Sequence, residues 1–231
     1  MKTHISLRQA TVAAYTLIEL LTVIAIIAIL MALLFAVFGP TKLTAQRASA
    51  GAAVRNIVNA CSGYNNDYGK YPPVPAASSA NGGYHSFGDT MVGGCAVSNE
   101  QLFDVLRAID RGANAGHVLN KRRQTYLEVS AARDSSNPRD GFVDGSRFTN
   151  GVQGQLMDPW GAQYCVVLDA TSAGTIDMGK FYTDLAGSQN VIRNSAAVFS
   201  MGKDGKRGGP RYPNMLRKPG SAESPDDVVS W

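Results

Sequence analysis

The chain has 231 residues, 45% of them hydrophobic, and a net charge of +4. That length suits one or two ordinary domains, and the charge gives no reason to expect a nucleic-acid partner, because basic and acidic residues nearly balance once Lys2 and Arg8 are set aside. Three cysteines without a C-x-x-C pair, and three scattered histidines (His4, His85, His117), argue against a zinc framework.

Lys2 and Arg8 lie in a start that lacks Asp and Glu. From Leu20 to Phe38 no side chain is charged, and Thr22 is the single hydroxyl. As a helix this run is about 29 Å long, against roughly 30 Å for a bilayer core. Basic flanks stay on the cytoplasmic side, so the remainder is expected to be exported. A secretory signal would have a shorter apolar run and a small-residue cleavage site beyond it. A plain anchor leaves Glu19 unexplained. An acid at a helix centre costs roughly 2.5–3.5 kcal/mol, and nearer the membrane edge it still needs a partner or a purpose.

Gly39-Pro40 closes the purely apolar run, and a helical proline removes a hydrogen bond. The pattern then resumes, with Leu43, Ala50, Val54, Ile57, Cys61, Tyr64 and Tyr68 on one helical face. The sequence predicts one helix from about Thr16 to Asn66, bent or loosened near Gly39-Pro40, with Cys61 in the core. "DYGKYPP" (67–73) stops it, since the residue before a proline avoids the helical region. Residues 78–94 read as a small-residue loop. "SNEQLFDVLRAID" reads as a short helix with a Ser98–Gln101 capping box and an apolar stripe of Leu102, Val105, Leu106 and Ile109.

Residues 111–155 are ambiguous, and "QTYLEVS" (124–130) fits a strand or a helical turn. Asp134, Asp140 and Asp144 do not have calcium-loop spacing, so a solvated loop is expected there. Arg55 and Lys121, Arg122 and Arg123 read as a solvated face. Asp158-Pro159-Trp160-Gly161 is turn chemistry, with Trp160 expected as a core plug. A strand from Tyr164 to Leu168 should pair antiparallel with one at 196–201, across an excursion over 170–195. The glycines and lysines of "FSMGKDGKRGG" (199–209) do not make a phosphate loop. In an exported head one disulfide can form, leaving one thiol over.

The start resembles the N-terminal signature of type IV pilins and type II secretion pseudopilins: a basic leader, a small residue (Ala14, where that family usually has Gly), then Tyr15-Thr16-Leu17-Ile18-Glu19-Leu20 and an apolar run. The resemblance implies cleavage by a prepilin peptidase between Ala14 and Tyr15, N-methylation of Tyr15, and an assembly role for Glu19 against a neighbouring subunit's amino end. The D-P-W-G turn, the 199–209 segment and the terminal "DDVVSW" are similar to the end of the major pseudopilin of type II secretion systems, and with the N-terminus cover 1–73 and 157–231. By position, Asp204, Asp226 and Asp227 would supply carboxylates to a Ca²⁺, although 210–224 is inserted between them.

The fold so implied is α+β and pilin-like, a long N-terminal helix on a small antiparallel sheet. Its parts are a leader (1–14), a membrane and filament-core helix (15–39), an amphipathic half (40–68) and a periplasmic head (69–231). The implied role is structural, in a pseudopilus that drives protein export. The implied partners are other pseudopilins, an inner-membrane assembly platform, the prepilin peptidase and the membrane itself. The location is the inner membrane, single-pass, with the head in the periplasm. A surface type IV pilin is the alternative, and a singly anchored periplasmic protein a weaker one. The sequence is read as carrying no G-x-S-x-G, S-x-x-K or H-E-x-x-H motif that would point to an enzyme.

Overall fold

The structure is a computed structural model and describes residues 15–77, 83–91, 94–182, 191–209, 212–213 and 226–231. It forms two compact units, divided between Thr44 and Ala45. Helix α1 (Leu17–Tyr68) belongs to both and is helical throughout, Gly39-Pro40 included. In the first unit, Leu17–Leu34 has a mean hydropathy of 2.9 and none of it is buried within the protein, so the stretch is long and apolar enough to cross a membrane. Thr22, its one hydroxyl, donates to the carbonyl of Glu19 at 2.9 Å, which satisfies that hydroxyl within the helix.

From Ala45 onward the helix forms the floor of the second unit. Ala50, Val54, Ile57, Cys61 and Tyr64 are buried at the spacing the sequence predicts. The helix stops at Gly69, whose φ of +69° suits a residue without Cβ and whose N–H bonds the carbonyl of Asn65 at 2.7 Å.

Strand β1 (Tyr84–Phe87) comes next, then α2 (Glu100–Leu106). Two-residue strands β2 (Gly141–Phe142) and β3 (Leu156–Met157) pair with each other. Strands β4 (Cys165–Asp169), β5 (Ile176–Asp177), β6 (Val191–Ile192), β7 (Ala196–Ser200), β8 (Gly208–Gly209), β9 (Tyr212–Pro213) and β10 (Val228–Val229) follow. The main sheet is antiparallel, ordered β1-β4-β7-β10, with Val166 opposite Val198 and Val228 opposite Ser200. The fold class is therefore α+β, as the sequence implied.

Side chains on a strand alternate between faces. Val166, Leu168, Ala196 and Val198 pack with α1 and α2 residues. Cys165, Val167, Ala197 and Phe199 pack on the other face with Ile176, Met178, Phe181 and Tyr182. Both faces are covered, and β4 and β7 accordingly read as unbroken apolar runs.

Several local expectations change. Residues 78–94 are not all loop, because β1 lies within them and pairs with β4. The Ser98–Gln101 capping box does not form. Ser98 donates to Gln163 Oε1 at 2.9 Å and accepts from Gln155, and the helix cap Asn99 makes no side-chain cap bond. Residues 124–130 take neither helix nor strand. Trp160 is half-buried and lies in neither core cluster, whereas nearby Tyr164 is buried in the core.

Candidate functional site

Two places carry the residues singled out by sequence. The first is the start of α1. Ala14 lies outside the described residues, and Tyr15 is 86% exposed. Thr16 precedes the helix, and Glu19 sits in its first turn. Glu19 Oε2 accepts from the Thr16 N–H and from its hydroxyl, both at 2.8 Å, while the Glu19 N–H donates to Thr16 Oγ1 at 3.3 Å. This reciprocal T-x-x-E arrangement is a capping box. It gives the acid a local partner, and the positive end of the helix favours a carboxylate there. The spacing was readable as T-L-I-E, but the sequence analysis placed the only capping box at Ser98.

The second place is the C-terminal half of the sheet, where three sequence pieces meet. Asp158 opens the D-P-W-G turn. Its Oδ1 accepts from the N–H groups of Trp160, Gly161 and Ala162 at 2.8–2.9 Å. Its Oδ2 accepts from the Ser200 hydroxyl at 2.6 Å. Burial raises the Asp158 pKa above the ordinary value, and the hydrogen bond from Ser200 and those from the turn hold it partly back. Ser200 Oγ in turn accepts from Gly202 N–H at 3.2 Å. Gly202 has φ +66°, and a Cβ there would lie 2.4 Å from the Asp226 carbonyl oxygen. The turn, the 199–209 segment and the tail thus form one hydrogen-bonded chain.

Ser200 and Lys203 have the S-x-x-K spacing of one nucleophile class, so the expected absence of that motif from the sequence does not hold. Here Ser200 is fully buried and donates to Asp158, while Lys203 is exposed. That geometry is not a nucleophile–base pair.

Asp204, Asp226 and Asp227 are brought together. Asp226 Oδ2 accepts from Asp204 N–H at 2.8 Å. Asp227 Oδ2 accepts from the Tyr182 hydroxyl at 2.8 Å and from Gly208 N–H at 2.7 Å. The second oxygen of each carboxylate (Asp204 Oδ2, Asp226 Oδ1 and Asp227 Oδ1) is buried without a hydrogen-bond partner. Among the described residues none of the three forms an ion pair, and Arg207 donates to the Phe181 carbonyl instead. Burial raises the Asp227 pKa to about 7, with the neighbouring acids Asp226 and Asp204 adding to the effect. Burial, then Asp226, also raises Asp204. Tyr182 is the residue that sequence reasoning missed at this place. Nothing in its own surroundings marks it, since its partner lies far along the chain.

A divalent cation fits this donor set in one respect: three orphaned carboxylate oxygens would gain a partner. Among the described residues no three His, Cys, Asp or Glu side chains are grouped so as to hold a metal by themselves. Calcium takes six to eight oxygens, many from backbone carbonyls, so the Gly-rich turn would have to contribute. The earlier Asp134, Asp140 and Asp144 group is a structural loop. Asp134 caps Ser136 and Asn137, Asp140 accepts from Ser49, and Asp144 pairs with Arg107. Compared with protein families, curated proteins and solved structures, the chain matches none.

Proposed function

We propose that this chain is a structural subunit of a type II secretion pseudopilus, anchored in the inner membrane before assembly with its head in the periplasm. The observation that carries the reading is the start of α1. An acid is held at the head of an otherwise uncharged, unburied apolar helix, and that helix continues as the core-forming floor of an α+β head. Cleavage after Ala14 would leave Tyr15 as the new amino end and keep the Thr16–Glu19 box intact. Glu19 Oε1 would remain to meet the amino end of a neighbouring subunit. In low dielectric such a pair attracts far more strongly than in water, and either charge left alone is costly.

Asp204, Asp226 and Asp227, with carbonyls of the 202–206 turn, would hold a Ca²⁺ whose charge offsets their mutual repulsion and ties the tail to the 199–209 segment. Its role there is structural. Asp226 and Asp227 tie the tail to the 204–208 segment and Tyr182, and the ion would supply positive charge.

Two measurements test the reading. Mass spectrometry of membrane-extracted protein should find an N-methylated chain beginning at Tyr15, and an intact Met1 would refute processing. Glu19→Gln keeps a competent capping box but removes the charge. It should leave the processed protein in the membrane and abolish filament crosslinking between subunits. Normal assembly of Glu19→Gln would show that the acid serves only as a cap.

A further inference from the structure

We propose that Cys95 and Cys165 are joined by a disulfide when the head folds in an oxidising compartment, and that Cys61 is the thiol left over. This goes beyond the filament reading and does not rest on it.

The sheet register sets up the pair. Phe87 of β1 stands opposite Val166 of β4, so the next residue of the first strand, Gly88, comes opposite Cys165. A side chain at Gly88 would be blocked: its Cβ would lie 2.8 Å from Cys165 Sγ and 3.0 Å from Cys95 Sγ. Both sulfurs therefore crowd the one spot on the sheet that a missing side chain leaves open. The chain after β1 turns back to deliver Cys95 there. Gly88 N–H bonds the Val97 carbonyl at 2.7 Å, Ala96 N–H bonds the Ser86 carbonyl at 3.2 Å, and Cys95 N–H bonds the Asp89 carbonyl at 3.1 Å. The two thiols are hydrogen-bonded to each other, and both belong to the cluster on the outer face of the sheet. Cys61 belongs to the other cluster, on the α1 side, where burial pushes its thiol up to about 12. The sheet separates it from the pair.

Cys95 is 5% exposed and Cys165 fully buried, so the bond forms during folding, while the sulfurs are still accessible. An external disulfide is the oxidant. The thiolate of one cysteine attacks it, forming a mixed disulfide and expelling one thiol. The second cysteine loses its proton and attacks the protein sulfur of that mixed bond, forming the internal S–S and expelling the second thiol. The two cysteines are oxidised together, and the external disulfide is reduced to two thiols. The product pins Cys95 to β4. The Arg207 guanidinium lies close by, 3.2 Å from where a Cβ on Gly94 would stand.

The test uses the full chain in detergent, denatured and refolded with glutathione disulfide, then alkylated under denaturing conditions. One thiol of the three should be labelled before reduction and all of them after it. Peptide mapping should find Cys95 linked to Cys165 and the label on Cys61. Refolded Cys61→Ser should retain the link and show no labelled thiol. Labelling of every cysteine without reductant, or a link that includes Cys61, would overturn the proposal. Because refolding with glutathione disulfide does not depend on where the protein resides, a negative result would leave the filament reading standing.

Discussion

Asp227 should make the head less stable as pH rises, and a divalent cation should reverse this. Its folded pKa is about 7 against an ordinary value of 3.8. Below pH about 4 the carboxyl is protonated in both folded and unfolded chains, and it adds no pH dependence. Between about 4 and 7 the unfolded chain has released the proton while the folded head still holds it, so stability falls as pH rises. Above about 7 the loss is complete. The difference between the two pKa values amounts to about 4 kcal/mol. Asp227 is only partly buried, and water screening reduces the figure to about 2–4 kcal/mol. For a chain of this size that is roughly 5–15 °C in Tm.

Other acids also titrate in this range, so the assay is a comparison. The full chain and Asp227→Asn, both in detergent with EGTA, are melted from pH 4 to pH 8. Asn can still accept from Tyr182 and Gly208 through its carbonyl oxygen, so its folded geometry is retained. Asp227→Asn should melt higher than the unsubstituted chain at pH 8, and the gap should close toward pH 4. Excess Ca²⁺ at pH 8 should raise the Tm of the unsubstituted chain, through a stabilisation of about 2.7 kcal/mol at a hundredfold excess over Kd, and should raise that of Asp227→Asn much less. An Asp227→Asn protein that is less stable than the parent at pH 8 in EGTA would show that the buried acid is already compensated. The argument for a cation would then fail.

Ser200→Ala removes the hydroxyl that donates to buried Asp158. It should cost about 1.5–3 kcal/mol, measured by chemical denaturation, and more at pH 8 than at pH 4 because the ionised carboxylate loses most. Gly202→Ala forces a Cβ toward the Asp226 carbonyl at positive φ; a loss of at least about 1 kcal/mol and weaker Ca²⁺ binding by calorimetry are expected. Ile57→Ala opens a cavity between α1 and the sheet, where the side chain is fully buried, and should cost about 2–5 kcal/mol in the same denaturation assay.

Much of the long helix could be read directly. Val54, Ile57, Cys61 and Tyr64 repeat at helical spacing because one face must meet a core, and that face is buried. The pairing of β4 with β7 was also legible, since two short β-branched and aromatic runs flank one excursion. What was missed depends on partners far along the chain. "YHSF" carries little strand signal among glycines, and β4 makes it a strand. Val228–Val229 becomes an edge strand only because β7 offers an open side. Ser98 looked like a cap by spacing, yet Gln163, 65 residues further on, claims its hydroxyl. At the acid cluster, the family resemblance pointed to the three aspartates, but not that Tyr182 and the turn N–H groups take one oxygen of each and leave the other bare.

The three C-terminal pieces, individually weak as signals, gain their meaning from the contacts between them. Asp158 satisfies its own turn with one oxygen and β7 with the other. Ser200 relays that contact to Gly202, which lacks a side chain and so admits the Asp226 backbone. The tail strand then pairs with β7, Val228 opposite Ser200, and Trp231 packs edge-on against Tyr182 and Phe199. Each residue type is required by the one before it. A buried carboxylate needs a donor, the donor's own lone pair needs an N–H, and the close backbone approach needs a glycine. A chain that kept the aspartates and lost Ser200 or Gly202 would retain the charges but not the place where they converge. The identity of those two small residues, as much as that of the acids, decides whether the tail can close the sheet.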